Sequence, residues 1–276
     1  MLTPERQKVL NLISLNEKNG NFNVDVEDDR DKKKLKPNQV DYINKKLISR
    51  IKNRIANKLA INFYEKKIKN GDFRIVKVNG IENYKKIKNV GAIITCNHFS
   101  PNDNYVVYKT IKDELFTGQN LYKVIKEGNY TSRKGLLGFF FKNCNTLPLS
   151  SNVETMKKFL NSIKILLNRG EKVLIYPEQS MWWNYKKPRP FKLGAFNIAV
   201  KNNVPVLPVF ITMVDGDKIL EDGSLSQEYT VNIGEPIFID EKLSEKENVR
   251  GILEKNFSYC KQVYQDFYKK ELSYEV

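Results

Sequence analysis

An α/β fold, a mostly parallel mixed sheet flanked by helices, is the class this sequence predicts, and three observations predict it. Short apolar runs bounded by polar turns recur along the chain, segments of helical length separate them, and 276 residues suffice for one large domain with a substantial core. The elements follow in order. Residues 1–40 are polar and unevenly charged, acidic over 24–31 and basic over 32–37, and read as an arm or linker. Over 38–69, Ile43, Leu47, Ile51, Ile55, Leu59 and Phe63 recur every four residues with Lys45, Lys46, Arg50, Lys52, Arg54 and Lys58 between them, the pattern of an N-terminal basic amphipathic helix. Such a helix either lies in a lipid interface or packs its stripe on the domain. Residues 73–78 alternate like an outer strand, whereas 90–96 are continuously apolar like a central parallel one. Further strands are expected at 121–125, 146–149, 173–176, 206–210 and 229–233. Helices are expected at 101–112, 132–142, 153–168, 192–201 and from 244 to about 270. The division is a 1–70 arm with its basic helix, then a 71–276 α/β domain.

Lysine and arginine number 47 against 32 acidic residues, a net charge of +15 that draws the chain to nucleic acid, an anionic bilayer or phosphate-bearing substrates. Cys96, Cys144 and Cys260 are widely spaced and lack nearby histidines, which argues against a zinc site or a disulfide framework. The N-terminus lacks a signal-peptide run, and no stretch reaches the roughly 20 apolar residues that span a bilayer. A cytoplasmic protein with at most peripheral contact to the inner face of the membrane is expected.

Chemistry concentrates around the only histidine, His98, in Asn97-His98-Phe99-Ser100-Pro101-Asn102-Asp103. It falls two residues after a central strand, where α/β sheets carry their reactive loops. Ser100 as N-cap and Pro101 as first helical residue would place Asp103 in the first turn of a helix, close enough to fix the imidazole tautomer. A first-turn acid also complements the helix dipole, so Asp103 alone would say little.

This run resembles the H-x-x-x-x-D motif of the glycerolipid acyltransferases, the family of glycerol-3-phosphate and lysophosphatidic acid acyltransferases. Three further segments resemble that family in its order: Tyr176-Pro177-Glu178-Gln179-Ser180 its F-P-E-G-T-R-S block, Phe191-Lys192-Leu193-Gly194-Ala195 the start of its F-K-x-G-A-x-x-x-A helix, and Val204-Pro205-Val206-Leu207-Pro208-Val209 its V-P-I-x-P-V strand. The resemblance implies a glycerol-3-phosphate acyltransferase-like fold. It also implies acyl transfer from acyl-CoA or acyl carrier protein, as co-substrate and without a cofactor, to a hydroxyl of a lysophospholipid such as 1-acyl-glycerol-3-phosphate. His98 would be the general base, Asp103 its orienting partner, and Glu178 part of the acceptor site, with Gln179 and Ser180 beside it. Cys96, in a buried strand, is expected to be a core residue rather than a nucleophile, and amides at the start of the helix after His98 are candidates for an oxyanion site.

Two arginines that hold acceptor phosphate in the family are replaced here, by Ser150 and Met181, and the block's glycine by Gln179. Either Lys187, Arg189 and Lys192 of the following basic cluster supply the anion contacts, or the acceptor is another lysolipid, a glycolipid or an alcohol. The same cluster also reads as a solvated loop. Trp182, Trp183 and Tyr185 suggest a substrate rim or a membrane-facing edge. The apolar stretch 135–141 reads as a buried helix, an acyl groove or a membrane contact. The expected partners are thus the thioester donor, a lysolipid and an anionic membrane surface. Nucleic acid is not expected, because no helix-turn-helix, RNA-recognition or zinc pattern occurs. A lipid-binding protein without catalysis is the remaining rival.

Overall fold

The structure, a computed structural model, describes residues 1–27 and 33–274. Part of the acidic stretch and of the basic run read from the sequence, residues 28–32, lies outside the described residues. Seven strands, β1 (Phe73–Asn79), β2 (Ala92–Thr95), β3 (Leu121–Ile125), β4 (Thr146–Pro148), β5 (Lys172–Ile175), β6 (Val206–Ile219) and β7 (Leu225–Ile233), form one sheet in the order β1-β7-β6-β2-β5-β3-β4. Every neighbouring pair is parallel except β6 and β7. The mostly parallel, mixed α/β sheet expected from the sequence is therefore present. β2 and β5 are buried along their whole length, as two-sided coverage requires. Ile94, Cys96 and Leu174 pack on one face of the sheet with Val106 and Val107 of a helix, while Ile93 and Val173 pack on the other with Phe159, Ile163 and Phe196. β6 runs nine residues past the expected 206–210. Antiparallel pairing from Val209↔Ile233 out to Ile219↔Leu225 carries it beyond the core, where its residues are no longer apolar enough to announce a strand.

The helices are α1 (Pro4–Lys18), α2 (Leu47–Lys69), α3 (Ile81–Lys85), α4 (Asp103–Ile111), α5 (Glu127–Ser132), α6 (Gly135–Asn143), α7 (Val153–Asn168), α8 (Gly194–Lys201) and α9 (Glu245–Tyr268). Several depart from expectation, and α3 was not expected. The N-terminal arm contains α1, whose Thr3 side chain accepts from Arg6 N–H and whose first residue is Pro4, a start signal outweighed by the polar composition. The helix expected over 38–69 begins only at Leu47, because Asp41 takes the amides of Lys45 and Lys46 into a turn, each at 2.9 Å, and Leu35 and Tyr42 are buried against the sheet domain. The helix expected over 132–142 starts only at Gly135, which takes the left-handed region at φ 64°, and the short α5 that ends at Ser132 before it was not expected. α4 starts two residues later than expected: Ser100 Oγ accepts Asn102 N–H in a turn, and the helix opens on Asp103.

α2 presents three faces. Ala56 and Ala60, small enough to allow close approach, pack with Phe63 on Phe140 and Cys144, and Asn53 donates to Asn143 O at 2.6 Å and Asn145 Oδ1 at 2.7 Å. Arg50, Asn57, Arg54 and Lys58 line a cleft. The third face carries Leu47, Ile51, Ile55 and Leu59 of the stripe read from the sequence, and it points outward: with Ile48 they are 42–73 % exposed, whereas Ile43 before the helix and Phe63 pack inward.

Candidate functional site

The loop after β2 is set by Asn97, whose side chain donates to Ile211 O at 3.0 Å and accepts Ile211 N–H at 2.8 Å. This clamp to β6 fixes the next residue, His98, at the wall of an open cleft of about 1510 Å³. His98 Nδ1 lies 2.7 Å from Asp103 Oδ2, and Asp103 is completely buried. An ionised carboxylate only accepts, so Nδ1 carries the proton and Nε2 is left as the basic nitrogen. Nε2 has no protein partner among the described residues.

Asp103 Oδ2 also accepts the amides of Phe99 and Ser100, each at 3.3 Å, so the amides considered for an oxyanion site are already engaged. Its other oxygen accepts the Tyr176 hydroxyl at 2.6 Å, and the Tyr176 ring stacks on the imidazole with centroids 3.9 Å apart and planes 16° from parallel. Tyr176 was not among the residues expected to act. The signal available was its place in the sequence, an aromatic carrying a hydroxyl where the motif it resembles has phenylalanine. Cys96 is buried beneath the site, and burial, with Asp103, Cys260 and Glu178 nearby, pushes its thiol well above the ordinary range.

Glu178 is placed below the histidine loop rather than in the cleft. Its Oε2 accepts His98 N–H at 3.2 Å and Arg189 Nη2 at 3.0 Å, and its Oε1 accepts Arg189 N–H at 3.0 Å. Arg189 is itself fully buried: it donates to Ser180 Oγ at 3.1 Å and Phe22 O at 3.3 Å, and its guanidinium lies 4.7 Å from the Trp182 ring centre. Enclosure leaves it no open face for the bidentate phosphate contact expected of it. Ser180 is buried too, donating to Val24 O at 3.2 Å. Lys187 pairs with Glu17 of α1 at 2.5 Å. Of the expected substrate contacts, Gln179 and Lys192 line the cleft with His98, and Met181 joins them. Gln179 keeps a left-handed backbone at φ 67° although it is not glycine. Ser150, at the other lost arginine position, is buried and donates to Leu35 O at 3.2 Å and Glu127 Oε2 at 3.1 Å. Trp182 and Trp183, expected at a rim, are buried, Trp182 with Ile13, Phe22 and Val26, because the N-terminal segment covers it.

A family model described as Acyltransferase matches residues 75–212, half of the chain. The chain belongs to the acyltransferase family. This acyltransferase is 29 % identical over 154 residues to a chloroplast 1-acyl-sn-glycerol-3-phosphate acyltransferase of Brassica napus, a match covering 53 % of this chain and 39 % of that one. It therefore spans about two fifths of the length of that curated relative. A solved structure, the 1-acyl-sn-glycerophosphate acyltransferase PlsC of Thermotoga maritima, aligns over 72 % of this chain and 74 % of its own at 24 % identity and a TM-score of 0.49. The acyltransferase match encloses His98, Asp103, Tyr176, Glu178 and Arg189 and leaves α1 and α2 outside.

Proposed function

We propose that the protein transfers a fatty acyl group from a thioester, acyl-CoA or acyl carrier protein, to a hydroxyl of a lysophospholipid of the 1-acyl-glycerol-3-phosphate type, with His98 as general base. The observation that carries this is the buried Asp103 carboxylate 2.7 Å from His98 Nδ1, with the other ring nitrogen unengaged at the cleft wall. His98 Nε2 removes the acceptor's hydroxyl proton as the oxygen attacks the thioester carbonyl carbon. The tetrahedral intermediate collapses with cleavage of the C–S bond, and the leaving sulfur takes the proton back from the imidazolium. Ester and free thiol are the products, and no acyl-enzyme is needed. The relative from Brassica napus, by its name, acts on such an acceptor.

Anion recognition on this reading moves to the cleft's own cations. Lys192, Lys58, Arg54, Arg133 and Lys123 line it, and none of their side chains has an ion-pair or hydrogen-bond partner among the described residues. Burial holds the Lys123 ammonium below its ordinary range, a desolvation cost that a bound anion would offset. The outward stripe of α2 supports membrane association. It lies beside Lys52, Lys58 and Lys66, and Leu136 and Leu137 of neighbouring α6 are 50 % and 47 % exposed next to Arg133 and Lys134, a surface suited to anionic lipid. No helix among the described residues is long and apolar enough to cross a membrane.

The test is thiol release from acyl-CoA and acyl carrier protein thioesters against a panel of lysolipids. Wild type is expected to transfer to a phosphorylated acceptor and His98→Ala to lose that activity. If both are inert across the panel yet bind vesicles, the catalytic reading fails. Transfer to uncharged acceptors alone would overturn the anionic part.

A further inference from the structure

We propose that Tyr176 is a positioning residue of the reaction centre, its hydroxyl holding Asp103 so that the carboxylate orients and tunes His98. The inference rests on His98 being the base. Asp103 divides its two oxygens unequally: Oδ2 meets His98 and two amides, whereas the Tyr176 hydroxyl is the one partner of Oδ1 among the described residues, at 2.6 Å. In a completely buried carboxylate that donor is not replaceable by solvent. The ring plays a separate part, covering one face of the imidazole at 3.9 Å and leaving its edge to the cleft. Phenylalanine would supply the ring and not the donor. Burial, with the Asp103 charge second, pushes the Tyr176 phenol well above its ordinary value, so it remains a donor at any working pH.

The titratable groups around the imidazole come from several elements. Asp103 belongs to α4 and Tyr176 to the end of β5. Glu178, neutralised by Arg189, meets His98 through its backbone amide and not through the ring. Tyr64 of α2 donates to Pro101 O at 3.2 Å, and burial keeps Cys96 a neutral thiol. Among the described residues, only Asp103 hydrogen-bonds to the ring, and of the side chains, only His98 and Tyr176 hydrogen-bond to Asp103. A hydrogen bond on Oδ1 disperses the carboxylate charge. Without it more charge faces the imidazole, and the protonated ring is favoured.

Because His98 is the single histidine, its imidazole resonances can be followed by NMR in the whole protein without competition. Tyr176→Phe is expected to move the His98 titration midpoint to higher pH, to carry the acid limb of kcat/KM with it, and to lower kcat about tenfold with KM unchanged. In an Asp103→Asn background the same change should alter neither midpoint nor kcat further, since Tyr176 acts through Asp103. A Tyr176→Phe protein with the wild-type midpoint overturns the proposal, as does an equal effect of the change with and without Asp103. If the midpoint moves as stated while wild type releases thiol from no thioester, the positioning role stands and the acyl-transfer reading fails separately.

Discussion

Arg189 and Glu178 form a pair enclosed on every side, with side chains 1 % and 2 % exposed, and what each does follows from that enclosure. A charge left in such a place without its partner costs about 3–5 kcal/mol, whereas removing both charges together costs far less. Glu178→Gln and Arg189→Met are each expected to be strongly destabilised in denaturant unfolding, and the double variant to recover much of the loss. An Arg189 variant that kept full stability and only raised KM would show that the side chain faces substrate after all. Gln179 offers the opposite sign. Its φ of 67° costs a residue with a side chain about 1 kcal/mol that glycine does not incur. Gln179→Gly should therefore unfold at higher denaturant concentration, and because Gln179 lines the cleft, the same variant should raise KM for the acceptor. A rise in stability with no change in KM would confine the residue to a backbone role.

α2 separates what periodicity can and cannot tell. The four-residue recurrence of Leu47, Ile51, Ile55 and Leu59 was legible as a helix, but not which way the stripe faced, because over its first half α2 is buried by Asn53, Ala56 and Ala60, residues too small or too polar to register as a core face, and only its second half packs larger side chains, Ile61, Phe63, Tyr64 and Ile68. The same limit explains α1, whose contacts are mainly ion pairs and a few apolar residues: Lys187–Glu17, Arg6–Glu27 and Arg6–Asp222. Central strands and the His98–Asp103 spacing were readable because burial on both sheet faces and a five-residue separation are local properties. The destinations of Arg189, Lys187 and Ser180 were not, since the N-terminal segment that engages them lies more than 150 residues away in sequence. Outward exposure of the stripe makes a direct prediction. Replacing Ile51 and Ile55 by glutamate should leave the thermal midpoint within about 1–2 °C, since surface changes lie within about 0.5 kcal/mol. Sedimentation with anionic vesicles should fall sharply. Unchanged vesicle binding would move the membrane contact elsewhere.

Across the whole molecule, a sheet held by apolar burial is wrapped by peripheral segments held by carboxylates, and pH should part the two. Burial alone would raise Asp222, yet hydrogen bonds from Ser224 and Arg6 outweigh it and hold the carboxyl below its ordinary 3.8. Glu127 shows the same balance, with the Leu35 amide and Ser150 and Ser151 holding it below 4.5 despite burial, and Asp41 is lowered by the amides of Lys46 and Lys45 against the same penalty. A carboxyl lowered on folding stabilises at pH values above its unfolded pKa, and that stabilisation disappears as pH falls through the folded one. All three tether the chain before α2: Asp222 holds α1 through Arg6, Glu127 holds the segment at Leu35, and Asp41 shapes the turn at 41–46. Acidification also adds to the +15 charge and its self-repulsion. The two tryptophans of the chain report the event, because Trp182 is covered by Phe22 and Val26 and Trp183 by Arg6, whose guanidinium lies 4.6 Å from its ring centre. As pH falls below about 4.5, tryptophan emission should shift to the red while far-UV circular dichroism still reports the sheet. Coincident loss of both signals would mean that the N-terminal segment and the sheet unfold as one unit.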